Sequence, residues 1–251
     1  MNVWQSIVVF VAGIAAGGIN TVVGSGTLIT FPILLGVGLP PVVANVSNTV
    51  GLFPGSFVGA YGYRAELTGQ RDRAIVLGTA SVLGAIIGAV LLLVLPADAF
   101  NAVVPVLIAI GLLLVIFGRK LTAWLISRGR ETTERTTVWL WLATFGTGIY
   151  GGYFGAAQGI IMIGLFGLML TETLQRTNAL KNILTGLVNL VAAVVFVITT
   201  HVNWTAAILI AVGSAIGGLI GARVGRRLSP TVLRGIIVVV GVAAIVKLLV
   251  S

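Results

Sequence analysis

The chain has 251 residues, of which 58% are hydrophobic and only 8% are charged, and its net charge is +9. Soluble domains carry about 25% charged residues, so this composition excludes a soluble globular domain and indicates an integral membrane protein. Cysteine is absent and there is one histidine, which excludes disulfides, thiol catalysis and a Cys/His zinc site. The basic residues lie almost entirely between apolar runs, as the positive-inside rule places them. We therefore expect a multi-pass protein of the cytoplasmic membrane with no cofactor, no metal and no nucleic-acid partner.

Long apolar runs follow one another along the chain. A helix needs about 20 apolar residues to cross the hydrocarbon core of a bilayer. The runs at 3–38 and 137–170 are too long for one span and are interrupted by glycines, so each predicts a broken helix or hairpin that turns within the membrane. The remaining runs cover approximately residues 41–62, 74–95, 99–118, 177–200, 204–222 and 231–250.

The two halves of the chain follow the same order of elements. At an offset of 134 residues Gly18 falls on Gly152 and Asn48 falls on Asn182. A basic segment separates the halves. The predicted organisation is a first membrane repeat at 1–118, a basic cytoplasmic linker at 119–136 and a second membrane repeat at 137–251.

The charges of the loops indicate that the two repeats are inverted. The loop at 64–73 is basic, whereas its counterpart at 201–203 is not, and the next pair of loops reverses this pattern. If all basic loops are cytoplasmic, each glycine-broken run crosses the membrane an even number of times and both termini lie outside. The predicted fold class is an all-α polytopic membrane protein with two inverted repeats, each a glycine-broken (re-entrant or hairpin) helical element plus three transmembrane helices. Inverted repeats with broken helices are typical of secondary transporters.

Glycine clusters and buried polar segments supply the candidates for a substrate site. Backbone N–H groups at a broken helix can face an anion, and buried amides must face protein or water because unpaired polar groups are costly in lipid. The structural alternatives are close helix packing for the glycines and interhelical hydrogen bonds for the amides. The candidate substrate-binding residues are Gly18, Asn20, Thr21, Gly24, Ser25, Gly26, Asn45, Asn48 and Thr49 in the first half, and Gly152, Gln158, Arg176, Asn178, Lys181, Asn182 and Thr185 in the second.

Lys181 is the residue with the strongest individual signal. A lone cation within a membrane span is costly and is by default a functional candidate, although a lysine that snorkels to the interface is the structural alternative. Arg176 lies nearer the end of the span, at the interface or at the mouth of a path. No carboxylate lies clearly inside an apolar run. The residues therefore favour a small anion over a metal cation and provide no catalytic set for an enzyme.

The glycine motifs resemble those of a known family. The matching residues run from Gly13 to Gly18, through Gly24-Ser-Gly26 and on to Asn48, with a second copy from Gly148 to Asn182. This pattern resembles the sulfite exporter TauE/SafE family over nearly the whole chain, although Gly-Ser-Gly and Ala-Ala-Gln replace the usual triple glycine. The resemblance implies a transporter of a small sulfur-containing anion such as sulfite or an organosulfonate, and we expect it to be an exporter. The expected mechanism is alternating access at a midplane site.

Two other functions are compatible with the sequence. A passive anion channel with the same lining is favoured by the lack of a buried carboxylate. A membrane scaffold or assembly subunit would explain the packing glycines but not Lys181 and the buried amides. The expected partners are the small anion and the lipid bilayer, and the sequence leaves the coupling ion and the oligomeric state, including a homo-oligomer, open.

Overall fold

The computed structural model describes residues 1–127 and 136–224, together with residues 235, 237–239, 242 and 245. A short 3-10 helix, Arg64–Leu67, lies in the loop after the third helix. The α-helices are α1 (Val3–Val22), α2 (Thr27–Gly36), α3 (Pro41–Gly62), α4 (Arg71–Val94), α5 (Ala97–Ser127), α6 (Val138–Tyr153), α7 (Gln158–Met169), α8 (Leu174–Thr199) and α9 (Trp204–Val224).

The helices match the predicted apolar runs. Five of them, α1, α4, α5, α8 and α9, are long and apolar enough to cross a membrane, which confirms the all-α polytopic class. Helix α5 continues to Ser127, so the first part of the segment predicted as a linker is helical. The remainder of that linker, and the last apolar run apart from a few helical positions, lie outside the described residues.

Both glycine-broken runs fold as helical hairpins. In the first, Gln5 Nε2 donates to Val37 O at 3.5 Å, so the end of α2 returns to the start of α1. In the second, Leu140 near the start of α6 and Phe166 near the end of α7 belong to one apolar cluster. Each hairpin therefore begins and ends at the same end of the helix bundle.

Local sequence determines where these hairpins begin and turn. Asn2 forms a capping box with Gln5 at the start of α1, and Thr137 accepts from the backbone N–H of Leu140 at the start of α6. Such caps satisfy backbone donors that a helix leaves unpaired. The first hairpin turns at Gly24, which has φ +86°, a conformation that glycine adopts without the steric cost of a side chain.

The two halves pack against each other through exchanged helices. Helix α1 lies against α9, and its counterpart α6 lies against α4. A Cβ built on Gly17 would overlap the backbone of Ser214, and one built on Gly217 would overlap the carbonyl of Ile14. Small residues allow such close backbone approach in membrane helices. This exchange of helices is consistent with two structurally related halves. The inverted orientation of the two halves stays a prediction.

One end of the bundle, here called the basic end, gathers the described basic segments. Tyr63 at the end of α3 and Ala222 near the end of α9 share an apolar cluster. Arg73 at the start of α4 forms an ion pair with Glu172, just before α8, at 2.6 Å. The start of α1 lies at the opposite end. The loop at 64–73 lies at the basic end, and its predicted cytoplasmic location stays a prediction.

We expect Gly152→Ala to destabilise the protein and Gly146→Ala to leave it unchanged or slightly more stable. Both glycines lie in α6, but a Cβ on Gly152 would overlap the backbone of Ala85 in α4, whereas one on Gly146 meets no described residue within 4 Å. Alanine in an open helical position gains about 0.5–1 kcal/mol over glycine. Thermal unfolding of the purified variants measures the difference, and equal midpoints would contradict the packing role of Gly152.

Candidate functional site

The tips of the two hairpins meet inside the bundle. The backbone N–H of Gly159, in the first turn of α7, donates to the carbonyl of Gly24 at 3.0 Å. A Cβ built on Gly24 would overlap the Cα of Gly159. The two halves of the chain thus touch backbone to backbone at this point.

Lys181 lies next to this contact and is completely buried, with 0% of its surface exposed. A Cβ built on Gly159 would lie 2.7 Å from Cδ of Lys181, so the lysine chain passes directly over this glycine. Its Nζ donates to the carbonyls of Asn20 at 2.7 Å and Thr21 at 3.2 Å. The ammonium does not snorkel to an interface, and no carboxylate pairs with it among the described residues.

The C-terminal end of α1 provides the partial negative charge that faces this ammonium. Asn20 and Thr21 lie in the last turn of α1, where carbonyls lack helical partners and carry the negative end of the helix dipole. The Thr21 carbonyl also accepts from Asn178 Nδ2 at 2.9 Å and Asn182 Nδ2 at 3.2 Å. We call these five residues the tip cluster: Asn20, Thr21, Asn178, Lys181 and Asn182.

Some predicted site residues, three of them in the tip cluster, have buried polar atoms without a hydrogen-bond partner among the described residues. Within the described parts of the chain, seven buried side-chain polar atoms lack a hydrogen-bond partner, and five of them belong to predicted site residues. A buried polar group left unpaired costs about 1–3 kcal/mol, so these atoms fit a polar ligand or water. They are Thr21 Oγ1, Ser25 Oγ, Asn45 Oδ1, Asn178 Oδ1 and Asn182 Oδ1.

The other predicted amides hold the hairpins in place. Asn45 Nδ2 in α3 donates to the carbonyl of Tyr153 at 2.9 Å, at the C-terminal end of α6. Asn48 Nδ2 donates to Thr27 Oγ1 at 3.2 Å and its Oδ1 accepts from Thr30, so it fixes the start of α2. In each half, the helix after the hairpin therefore supplies an amide to the end of a broken helix.

Of three other predicted polar residues, Thr49 and Thr185 bond within their own helices and Gln158 bonds across the second hairpin. The hydroxyl of Thr49 donates to the carbonyl of Asn45 at 3.0 Å, and that of Thr185 donates to the carbonyl of Lys181 at 2.9 Å. Gln158 Nε2 donates to the carbonyl of α6 residue Thr147 at 3.1 Å. These bonds stabilise helices α3 and α8 and the second hairpin.

Three of the predicted glycines lie in packing contacts rather than at the tip contact. A Cβ on Gly18 would lie 3.3 Å from the carbonyl of Gly217, and one on Gly26 would lie 2.7 Å from the carbonyl of Ala16. Gly152 faces α4, as described above. Of the predicted glycines, Gly24 is the one in the contact between hairpin tips.

Arg176 lies at the basic end, apart from the tip cluster. Its Nε pairs with Glu172 at 2.5 Å, and Nη1 donates to the carbonyl of Thr68 at 3.0 Å. Arg73 pairs with the same carboxylate. Burial alone would raise the pKa of Glu172, but the hydrogen bonds from Arg176 and Arg73 outweigh burial and hold the pKa below its ordinary value. This ion-pair group links the start of α4 to the start of α8.

We expect Glu172→Gln to lower stability at neutral pH and to have little effect in acid. A carboxyl with a lowered pKa stabilises the folded state above its unfolded pKa, and this contribution disappears as the pH falls through the folded pKa. Thermal unfolding between pH 7 and pH 3 gives the test, with Asp98→Asn as the control because Asp98 forms no ion pair among the described residues. A stability difference that stays constant down to pH 3 would contradict the prediction.

Two residues of the site were missed by the sequence analysis. Gly159 carries the tip contact, and Ser56 Oγ accepts from Asn20 Nδ2 at 3.1 Å. At the offset of 134 residues, Gly159 corresponds to Ser25, which is a predicted site residue. This correspondence could have indicated Gly159. Ser56 lies two helical steps of four from Asn48, which places both on one face of α3.

Comparison with known proteins gives consistent matches over the whole chain. Residues 9–248 match a family described as "Sulfite exporter TauE/SafE". The chain is 30% identical to a probable membrane transporter protein, ORF9, of Sinorhizobium sp., covering 96% of this chain and 90% of the relative. It is 26% identical to the probable membrane transporter protein YfcA of Escherichia coli (strain K12), covering 96% and 88%. No solved structure matches the chain.

Proposed function

Because the chain belongs to the sulfite exporter TauE/SafE family of membrane transporters, we propose that it exports a small sulfur-containing anion, such as sulfite or an organosulfonate. Its long apolar helices make it a multi-pass protein of the cell membrane. The observation that carries the proposal is the buried ammonium of Lys181, which has no carboxylate partner among the described residues and lies where the two hairpin tips meet.

The chemistry of the tip cluster supports an anionic substrate. An ammonium has three N–H donors, and two of those of Lys181 reach carbonyls of α1. The remaining N–H and the hydroxyls of Thr21 and Ser25 can donate to an anion, and hydrogen bonds from a charged donor are the stronger kind. The amide oxygens of Asn178 and Asn182 accept rather than donate, so they fit a hydroxyl or a water that accompanies the anion.

The packing of the halves supports alternating access as the mechanism. The tips touch through one backbone hydrogen bond, between Gly159 and Gly24, while the flanking helices form extended glycine-rich interfaces. If one hairpin tip moved as a unit against the other half of the chain, the tip cluster would become accessible from one end of the bundle. Movement of one helix bundle against the other around a fixed site is a general scheme for transporters built from repeats.

Binding and flux measurements with purified protein test this proposal. Sulfite, an alkanesulfonate, sulfate and chloride are titrated against the protein in detergent, and uptake of the bound anion is then followed in proteoliposomes. We expect binding of sulfite or the alkanesulfonate in preference to chloride, and saturable flux that is stimulated by the same anion on the opposite side. Conductance that does not saturate would indicate a channel instead, and absence of both binding and flux would contradict transport of these anions.

A further inference from the structure

A groove on the surface of the bundle lies between α4 and α8, away from the tip cluster. Its volume is about 500 Å³. Its walls include Ala74 and Gly78 from α4 and Ile183 and Leu187 from α8. Because both helices are membrane spans, this apolar groove faces the hydrocarbon part of the bilayer.

The groove arises because α4 and α8 pack less closely than the corresponding pair, α3 and α9. Around Gly78 the nearest side-chain atom is Cδ1 of Leu187, 3.3 Å from an ideal Cβ. In the α3–α9 interface, by contrast, a Cβ on Gly55 would lie 2.6 Å from the backbone carbonyl of Ser214. At Gly78 the two helices α4 and α8 therefore approach each other less closely than α3 and α9 do at Gly55.

Among the described residues that line the groove, Arg71 is an exposed cation. Arg71 is the first residue of α4 and lines the groove, and its guanidinium has no hydrogen-bond or ion-pair partner among the described residues. The other charged residues nearby have partners or are exposed: Arg73 and Arg176 share Glu172, Glu66 has an interaction of its own, and Asp72 is exposed. An unpaired guanidinium beside an apolar groove is complementary to a phosphate attached to an acyl chain.

We propose that this groove binds an anionic phospholipid, with its phosphate on Arg71 and an acyl chain between α4 and α8. From Arg71 to Gly78 the helix rises about 10 Å, which is within the roughly 15 Å of one leaflet's hydrocarbon layer. A juxtamembrane basic residue attracts anionic lipids in general, and here the groove adds a defined place for the chain. The proposal is independent of the substrate that the protein transports.

Native mass spectrometry of delipidated protein titrated with phosphatidylglycerol or phosphatidylcholine tests the lipid site. We expect the wild-type protein to retain phosphatidylglycerol in preference to phosphatidylcholine, and Arg71→Gln to reduce that binding about five-fold. Arg64→Gln is the matched control, because Arg64 is also exposed at the basic end but lies over the ring of Tyr61 at 4.7 Å. It should bind phosphatidylglycerol like the wild-type protein.

Two further measurements distinguish lipid binding in the groove from simple attraction of the lipid to the charge of Arg71. Ala74→Leu fills the groove and should reduce phosphatidylglycerol binding while Arg71 is retained. Inorganic phosphate at millimolar concentration should not displace the lipid, since it lacks the acyl chain. Equal phosphatidylglycerol binding by the wild-type protein and Arg71→Gln, or equal retention of the two lipids, would overturn the proposal, as would full displacement by phosphate.

Discussion

Lys181→Gln is expected to weaken binding of the transported anion about ten-fold or more. The ammonium is completely buried at the hairpin tips, so the proposed contact with an anion would be shielded from water. A hydrogen bond to a charged group is worth about 1.5–3 kcal/mol, and each 1.4 kcal/mol is a factor of ten in affinity. The glutamine amide can still donate to the carbonyl of Asn20, so the fold is expected to survive. Isothermal titration of the purified variant in detergent gives the affinity.

Two variants separate the charge of Lys181 from its structural contact. Asn182→Ala removes one donor to the Thr21 carbonyl without changing the charge, and it should weaken anion binding less than Lys181→Gln. Lys181→Arg should restore affinity only in part, because a planar guanidinium does not replace a compact ammonium in a closed space. If Lys181→Gln binds the anion like the wild-type protein, the lysine only caps α1 and the argument for an anionic substrate is lost.

Gly24→Ala is expected to abolish transport and to destabilise the protein more than Gly38→Ala. Both glycines have positive φ, +86° and +93°, so alanine carries a similar backbone cost of about 1–2 kcal/mol at either position. A Cβ on Gly24 would also overlap Gly159, whereas one on Gly38 has no neighbour within 4 Å in the part of the chain that the structure describes. Overpacking of a close contact typically adds about 1–3 kcal/mol.

Comparison of Gly24→Ala with Gly38→Ala measures how much the contact between the hairpin tips contributes to stability and transport. Thermal unfolding midpoints of Gly24→Ala and Gly38→Ala, each compared with the wild-type protein, give the stability cost, and flux in proteoliposomes gives the functional cost. Equal losses for the two variants would mean that the backbone conformation alone matters. In that case the tip contact would carry no special role in transport.

The helices were predictable because membrane spans depend on local composition. Apolar runs of sufficient length define α3, α4, α8 and α9 to within a few residues, and the glycine clusters predicted where the long runs would turn. The extension of α5 to Ser127 was not predicted, since the segment from Arg119 onward is rich in charges. Charged side chains are compatible with a helix that has left the hydrocarbon region, and composition alone does not mark that end.

The candidate site was predictable in its residue types but not in its contacts. The buried amides and Lys181 were selected because polar groups in a span need a partner, and for Asn178, Lys181 and Asn182 the structure gives a partner at the end of a broken helix. That partner is a backbone carbonyl some 160 positions away in the chain, which no local pattern indicates. Glycines present the same difficulty, because Gly24 at the tip and Gly152 in a packing interface have similar sequence surroundings.

The packing of α1 against α9 has a consequence for the order of assembly during synthesis. Helix α1 leaves the ribosome long before α9, the helix against which Gly17 packs, which begins only at Trp204. At about 5–20 residues per second, α1 waits on the order of 10–40 s for this partner. Until then its glycine face and the unpaired carbonyls at its end are open to lipid, translocon or water. A nascent chain that stops before α9 therefore lacks the surface that completes the first helix, and such chains should be early substrates for membrane proteases.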